Sequence, residues 1–411
     1  MLSVNRGVRS IVAALVAALC LQVGGCTSDD PRASAPPLPP GTQTPSPPDQ
    51  EAPVPARPGI TQRVVFGDPW SKDERRVHAV AESALKIIDE TRRGETITLS
   101  MFNLTYPTAA DTLIRARLRG VKVRVLVNSE GAGSSQVRKL KSALGGNPAS
   151  GSWVLVRDPA IRMHSKFLLS SRSGGKSNVV WVSSGNLTTA NGRTQANEAL
   201  VTTGDKRLYR FLGRQFALFR QGVTDPALLA RTTTTDTAVV QTYPLPAGGP
   251  DHDPVLALLR DVRCTSGTER TTIRLAHLFL TVERRYLTGR LRELKAEGCD
   301  VRAVGHMKGW NREARKDLAA PGPGRIDLRS AQGTALHTKI TTIEGWDAAG
   351  HPLKVAMVGT HNLTGRALST TPDGVNDEVS LIIRDARTVH SYSAWVDRVI
   401  SRHSRPDTPR G

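Results

Sequence analysis

Two stretches of this 411-residue chain repeat one order of elements, and that repeat limits what the chain can fold into more than any other feature. In the first, Thr96-Ile97-Thr98-Leu99-Ser100-Met101-Phe102 alternates with the two-residue period of a strand. A helical stretch around Ala110–Arg119 ends at Gly120, and Val121-Lys122-Val123-Arg124-Val125-Leu126-Val127 alternates again. In the second, Thr272–Ala276 predicts a strand, Tyr286–Lys295 a helix, Gly298 its stop and Val301–Val304 the next strand. Ile97 to Gly120 is 23 positions and Ile273 to Gly298 is 25, close enough for diverged copies. Strands alternating with helices imply a mixed or mainly parallel sheet covered by helices, here repeated as two tandem α/β/α lobes. The length is enough for two cores of ordinary size. The join is expected in the polar Thr232–Pro250 region.

Each unit is followed by a second repeated signal. The first copy has His164-Ser165-Lys166-Phe167-Leu168-Leu169 and then Ser183-Ser184-Gly185-Asn186-Leu187-Thr188. The second has His337-Thr338-Lys339-Ile340 and then Gly359-Thr360-His361-Asn362-Leu363-Thr364. The His-to-Asn spacings are 22 and 25. Residues two apart in a strand share a face, so the His and Lys of each H-x-K are expected to project together into one cleft. Imidazole serves as nucleophile or acid near neutral pH, and lysines with Asn, Ser and Thr donors neutralise phosphoryl oxygens. That chemistry calls for no cofactor and no metal. The remaining histidines, His78, His252, His277, His306, His351, His361, His390 and His403, show no zinc-ligand spacing, although His361 beside Asn362 is placed to line the cleft.

At these residues the chain resembles the phospholipase D superfamily, whose H-x-K-x4-D motif is followed by G-S-x-N and occurs twice in monomeric members. The resemblance covers roughly Gly59 to Ile400. It implies two lobes related by a pseudo-twofold around one shared cleft, a monomer, and phosphodiester cleavage through a phosphohistidine. Carried over by order, His164 is the nucleophile and His337 the acid, with Lys166 and Lys339 beside them; Ser184, Asn186, Thr360 and Asn362 bind substrate. Glu198 and Glu378, in Ala196-Asn197-Glu198 and Asn376-Asp377-Glu378, are expected to accept the second imidazole proton and orient each histidine, with Asp377 competing for the second role. The motif aspartates are replaced by Ser171 and Glu344, a departure expected to touch stability more than catalysis.

The ends of the chain read differently. Arg6 and Arg9 precede an apolar run, Ile11 to Val23, that is short for a permanent span, so residues 1–25 are expected to be a signal peptide. Val23-Gly24-Gly25-Cys26 resembles a bacterial lipobox, which implies a lipidated Cys26 on the outer face of the cell membrane, an ordinary signal peptide and secretion being the alternative. Thr27 to Gly59 holds 11 of the chain's 26 prolines and almost no large apolar residue, so residues 26–59 are expected to form a mobile tether. The first lobe is then 60–235, the second 236–400, and 401–411 a basic tail. In an oxidising compartment Cys264 and Cys299 are expected to pair, since each lies near the start of one of two strands that would be parallel neighbours.

Formal charge is +19, and removal of Arg6 and Arg9 with the leader leaves +17, which favours an anionic partner without choosing one. The leading expectation is a phospholipase D-like hydrolase acting on phospholipid headgroups at a membrane surface. A nuclease of the same superfamily is the catalytic alternative, favoured by charge and disfavoured by an aromatic content of only 4% for base stacking. A cardiolipin-forming transphosphatidylase and a non-catalytic phosphate-binding protein remain open.

Overall fold

The computed structural model describes residues 59–407. The leader, Cys26 and all of the proline-rich segment except its last residue therefore lie outside the described residues. Among the described residues no helix is long and apolar enough to cross a membrane.

Both repeats fold as strand, helix, parallel strand. Thr96–Met101 pairs in parallel with Lys122–Val127 across the helix Pro107–Leu118, and Thr272–His277 pairs in parallel with Asp300–Gly305 across Tyr286–Ala296. Each helix stops where its glycine stands. Gly120 and Gly298 have φ of 88° and 102°, and the next residue's N–H reaches back to close the turn, Val121 to the Ala116 carbonyl and Cys299 to that of Leu294. A side chain at either glycine would strain that left-handed backbone.

The sheets are mixed. The first runs Thr61–Phe66, Glu198–Thr203, Lys176–Ser183, Phe167–Ser173, Thr96–Met101, Lys122–Val127, Trp153–Val156. The second repeats its last six places as Asn376–Ile383, Pro352–Gly359, Lys339–Asp347, Thr272–His277, Asp300–Gly305, Leu328–Ala331. Alternation divides each strand between two cores. Ile97, Leu99 and Met101 face the first lobe's own core and Ile273 and Leu275 the second's. The opposite faces pack on Lys206–Arg220 and Ala386–Arg402, whose apolar sides join both lobes in one cluster with Phe167, Phe211, Phe216, Val379, Tyr392 and Trp395.

The boundaries need two corrections. The polar region expected to be the join contains strands Thr232–Thr234 and Val239–Tyr243, which extend the second sheet beyond Asn376–Ile383; runs of β-branched Thr and Val suit an edge strand as well as a linker. The expected basic tail begins inside a helix that runs to Arg402, and Ser404–Pro406 then pairs with Leu328–Ala331 at the sheet's other edge. Of the expected tail, residues 408–411 lie outside the described part.

Cys264 and Cys299 form a disulfide with a Cα–Cα distance of 4.5 Å. A short hairpin, Thr265–Ser266 with Glu269–Arg270, separates Cys264 from its strand, and the Thr271 N–H donates to the Cys264 carbonyl at 2.8 Å, folding the cysteine back over the strand start.

Candidate active site

The two H-x-K motifs cross from one lobe to the other. Arg162–Met163 pairs in parallel with Asn376–Asp377, and the His164 N–H donates to the Asp377 carbonyl at 3.0 Å. Symmetrically, Ala335–Leu336 pairs with Gln195–Ala196, and the His337 N–H donates to the Ala196 carbonyl at 2.9 Å. His164, Ser165 and Lys166 thus lie just before the strand Phe167–Ser173 rather than within it, and Lys339 is the first residue of its strand. The backbone is extended all the same, so His and Lys still share a side. Each ammonium caps the carbonyl of its own histidine, Lys166 that of His164 and Lys339 that of His337, the latter at 2.6 Å.

The ring partners differ between the two copies. His164 Nδ1 lies 2.8 and 2.9 Å from the two oxygens of Glu378, a residue of the other lobe. His337 Nδ1 lies 2.9 Å from Asn197 Oδ1, not from Glu198. The Asn197 amide is not free to turn over, because its Nδ2 donates to the carbonyls of Asn191 at 2.6 Å and Gln195 at 3.0 Å. Oδ1 therefore faces the ring as an acceptor for an Nδ1 hydrogen, while the Lys339 ammonium, 3.2 Å from the same Nδ1, competes by donating toward it. Among the described residues no side chain bonds either Nε2, although backbone carbonyls at Thr360 and Ser184 lie close enough to the two rings to pull their pKa values upward.

The expectation that Glu198 orients His337 is corrected by a one-residue shift in register. The N–H of Ser184 donates to the Glu198 carbonyl, and that of the equivalent Thr360 to the Val379 carbonyl. Glu198 is therefore the structural counterpart of Val379, and Asn197 that of Glu378. Glu198 accepts from the Ser184 hydroxyl at 2.7 Å and the Lys339 N–H at 3.3 Å. Asp377 does not orient a histidine either, since it pairs with Arg157 at 2.9 Å between fully buried side chains, a bond from one lobe to the other.

Of the four residues expected to bind substrate, Ser184, Asn186 and Thr360 have part of their hydrogen-bonding capacity already committed. Thr360 Oγ1 donates to Glu378 at 2.6 Å, as Ser184 Oγ does to Glu198. Asn186 Oδ1 accepts from the Asn103 N–H at 3.2 Å, whereas Asn362 Oδ1 is buried without a partner among the described residues. At the departed motif positions, Ser171 donates to Glu95 at 2.5 Å and Glu344 lies 3.6 Å from the exposed His390.

Burial sets the charges. It lowers the pKa of His164 well below the ordinary value, helped by Lys166 and Lys339, and that of His337 likewise, helped by Lys339 and Lys166, so both rings are neutral in the free site at pH 7. Burial raises Glu378 and Glu198 to about 7 each against the pull of the lysines and hydroxyls. Lys339 falls to about 8, first through burial, with Glu198 and Glu378 opposing.

Several residues of the site carry no readable motif. Phe102, at the end of its strand, sets its ring 5.3 Å from that of His164 and 5.2 Å from Lys166 Nζ. In the second lobe Arg284 is fully buried, paired with Asp253 through two bonds of 2.7 Å, and donates to the Asn362 carbonyl at 3.1 Å and toward His361 Nε2 at 3.2 Å. His361 also stacks on Tyr243, its ring 4.3 Å away, as the sequence hinted only by placing it beside Asn362. Among the described residues no group of three or more His, Cys, Asp or Glu is arranged to hold a metal ion.

A family model described as the cardiolipin synthase, PLD-like domain matches residues 85–218 and again 266–400. No curated protein matches the sequence. Among solved structures, phosphatidylserine synthase from Haemophilus influenzae Rd KW20 is similar with a TM-score of 0.54 at 12% identity, over 84% of this chain and 87% of that one. Polyphosphate kinase from Porphyromonas gingivalis gives 0.52 at 14%, over 85% of this chain and 53% of that one, so this chain spans about half the kinase. At such identities the likeness shows the fold alone. The paired family match covers well over half of the chain, one copy on each lobe, and the chain belongs to the phospholipase D superfamily, with two copies of its PLD-like domain.

Proposed function

We propose that this chain cleaves the headgroup phosphodiester of phospholipids through a phosphohistidine, held at the outer face of a membrane by a lipidated Cys26. The observation that carries the chemistry is the unequal pair of ring partners, a carboxylate behind His164 and a neutral amide behind His337. A carboxylate stabilises the positive charge that a ring acquires on forming a bond to phosphorus, and an amide does so less. His164 is therefore the nucleophile: its Nε2 lone pair bonds to phosphorus as the bond from phosphorus to the headgroup oxygen breaks, and Nδ1–H stays with Glu378. His337, less supported as a cation, is the better proton donor to the leaving oxygen. In the second half it takes a proton from water, whose oxygen displaces His164 and releases phosphatidate.

The free site holds both rings neutral. A bound phosphodiester supplies the negative charge that favours protonated His337, so the acid forms in the complex. Lys166 and Lys339 neutralise the phosphoryl oxygens. The lipid reading is supported by the description of the matching family model, by the lipobox-like sequence at Cys26 and by a net charge suited to an anionic surface.

The test is to incubate the purified chain, in chelator, with phosphatidylcholine, phosphatidylglycerol, cardiolipin and plasmid DNA. Phosphatidate from the lipids is the expected product. Nicked DNA without lipid product would make the chain a nuclease, and transfer of the phosphatidyl group to added glycerol would make it a transferase. No product with folded protein would leave a binding protein.

A further inference from the structure

The two lobes are built alike, yet the space between sheet and covering helix is filled in the second and open in the first. In the second lobe Arg274 occupies it, 4% exposed, with Nε 2.6 Å from Asp397 and its other end 2.6 Å from Asp300. Arg302 adds contacts to the same acids at 3.2 and 3.7 Å, and Ser393 bonds Thr342 at 2.8 Å. Strand register makes Thr98 the counterpart of Arg274 and Arg124 that of Arg302. The aspartate caps that begin the two helices, Asp205 and Asp385, align Ala217 with Asp397 and Gly213 with Ser393. The first lobe thus keeps one arginine of the network, has Lys122 and Ala217 at the places of the two acids, and Thr98, Gly213 and Leu169 at those of Arg274, Ser393 and Thr342.

What remains is a cavity of about 460 Å3. Arg124 and Arg220 line it with Thr96, Thr98, Ser171 and Tyr209, against a wall of Trp153, Leu169 and Phe216. Arg124 is half-buried and its Nε is buried with no hydrogen-bond partner among the described residues, while Arg220 is exposed at the rim. Glu95 stands at the edge, occupied by the Ser171 hydroxyl and not paired to Arg124. Burial raises the Tyr209 pKa, so its phenol stays a neutral donor. Ser171 lies five residues past Lys166 on an extended run, about 16 Å at ~3.3 Å per residue, so the cavity is apart from the two-histidine cleft.

We propose that this cavity is a binding site for a small amphiphilic anion, a carboxylate or phosphate monoester on an apolar body. A buried guanidinium N–H without an acceptor is costly, and a bound anion supplies one to Arg124 Nε through a charge-assisted bond, with the more exposed Arg220 and the hydroxyls of Thr98 and Tyr209 beside it. The apolar body packs on Trp153, Leu169 and Phe216, and the volume lies in the range of ordinary small-molecule sites.

Isothermal titration of the full chain with 2-naphthoate, 1-naphthyl phosphate and inorganic phosphate tests this. At least one aromatic anion is expected to bind with a dissociation constant on the order of 0.1–1 mM, and inorganic phosphate more weakly because it leaves the apolar wall uncovered. The stronger of carboxylate and monoester identifies the head group. Arg124→Gln should weaken that binding about tenfold or more. Ala217→Asp, which restores the acid the second lobe has at Asp397, should abolish it while keeping the fold, and so decides the matter should Arg124→Gln fail to fold. Unchanged binding in Ala217→Asp, no binding of either aromatic anion up to millimolar concentration, or inorganic phosphate binding as tightly as both would overturn the proposal.

Discussion

The first lobe divides between two residues what the second does with one. In the second, Glu378 alone receives His164 Nδ1, the Thr360 hydroxyl at 2.6 Å and the Asn376 amide at 2.9 Å. In the first, Asn197 receives His337 Nδ1 while Glu198 takes the Ser184 hydroxyl at 2.7 Å and the Lys339 N–H. A pseudo-twofold fold can therefore present two histidines in the same pose and still make them chemically unequal, because the pose comes from backbone pairing and the basicity from whichever group lies behind the ring.

The largest expected effect breaks the pair outright. His164→Ala and His337→Ala should each lower turnover of phospholipid by about 10³-fold or more, since attack and leaving-group protonation need different rings. With bis-p-nitrophenyl phosphate, whose leaving group needs no proton, His337→Ala should recover much of its bond-cleavage step and His164→Ala should not. A trapped phosphopeptide containing His337 in place of His164 would reverse the assignment.

Next comes the inequality itself. Glu378→Gln should cost about 10²-fold in kcat and Asn197→Ala nearer tenfold, as outer partners of a reacting histidine do. Glu378 must be ionised to hold the His164 hydrogen, and Lys339 must be charged to neutralise phosphate. Activity is thus expected to rise with pH through about 7 and fall above about 8, a narrow bell. Glu378→Gln should erase its acidic limb. The same raised carboxyl works against stability: its contribution is fully present below the unfolded value of 4.5 and is lost as pH rises through about 7. Chemical denaturation at pH 5 and pH 8 should show a smaller difference in Glu378→Gln than in the parent.

The covalent asymmetry is smaller in activity and larger in stability. Only the second lobe has a disulfide among the described residues, and it closes 35 residues of chain. Cys264→Ser with Cys299→Ser should cost roughly 2–4 kcal/mol, read as a lower melting temperature, with kcat unchanged. Loss of activity in proportion to stability would mean that the disulfide also shapes the cleft. The smallest effect is expected at Glu344→Ser, which makes the second motif match the first. Its partner His390 is exposed at 3.6 Å, so the stability change should stay within about 1 kcal/mol and turnover should hold.

Much of this was legible from residue order. The alternation at Ile97-Leu99-Met101 and the helix stops at Gly120 and Gly298 are local consequences of side-chain direction and backbone freedom, and both repeats could be read from them. The two H-x-K motifs stood out for the same reason, as residue types at a short fixed spacing. Asn197 was hidden because a glutamate one position away is the more familiar partner of a histidine, and only the bonds of Ser184 and Thr360 show which residues correspond. Arg284, Asp253 and Tyr243 were hidden because they are remote from one another in sequence and converge behind Asn362 only after the second lobe has folded.

The amino-acid sequence by itself determined the duplication, the strand and helix order and the two His/Lys pairs that meet at the candidate site, because each is written within a few consecutive residues. The tertiary structure decided which lobe's residue stands behind each imidazole, that Thr232–Tyr243 and Ser404–Pro406 extend the second sheet, and that the gap filled by Arg274 in one lobe is open in the other. These depend on register and on volumes contributed by distant segments, and a one-residue change in register exchanges an amide for a carboxylate.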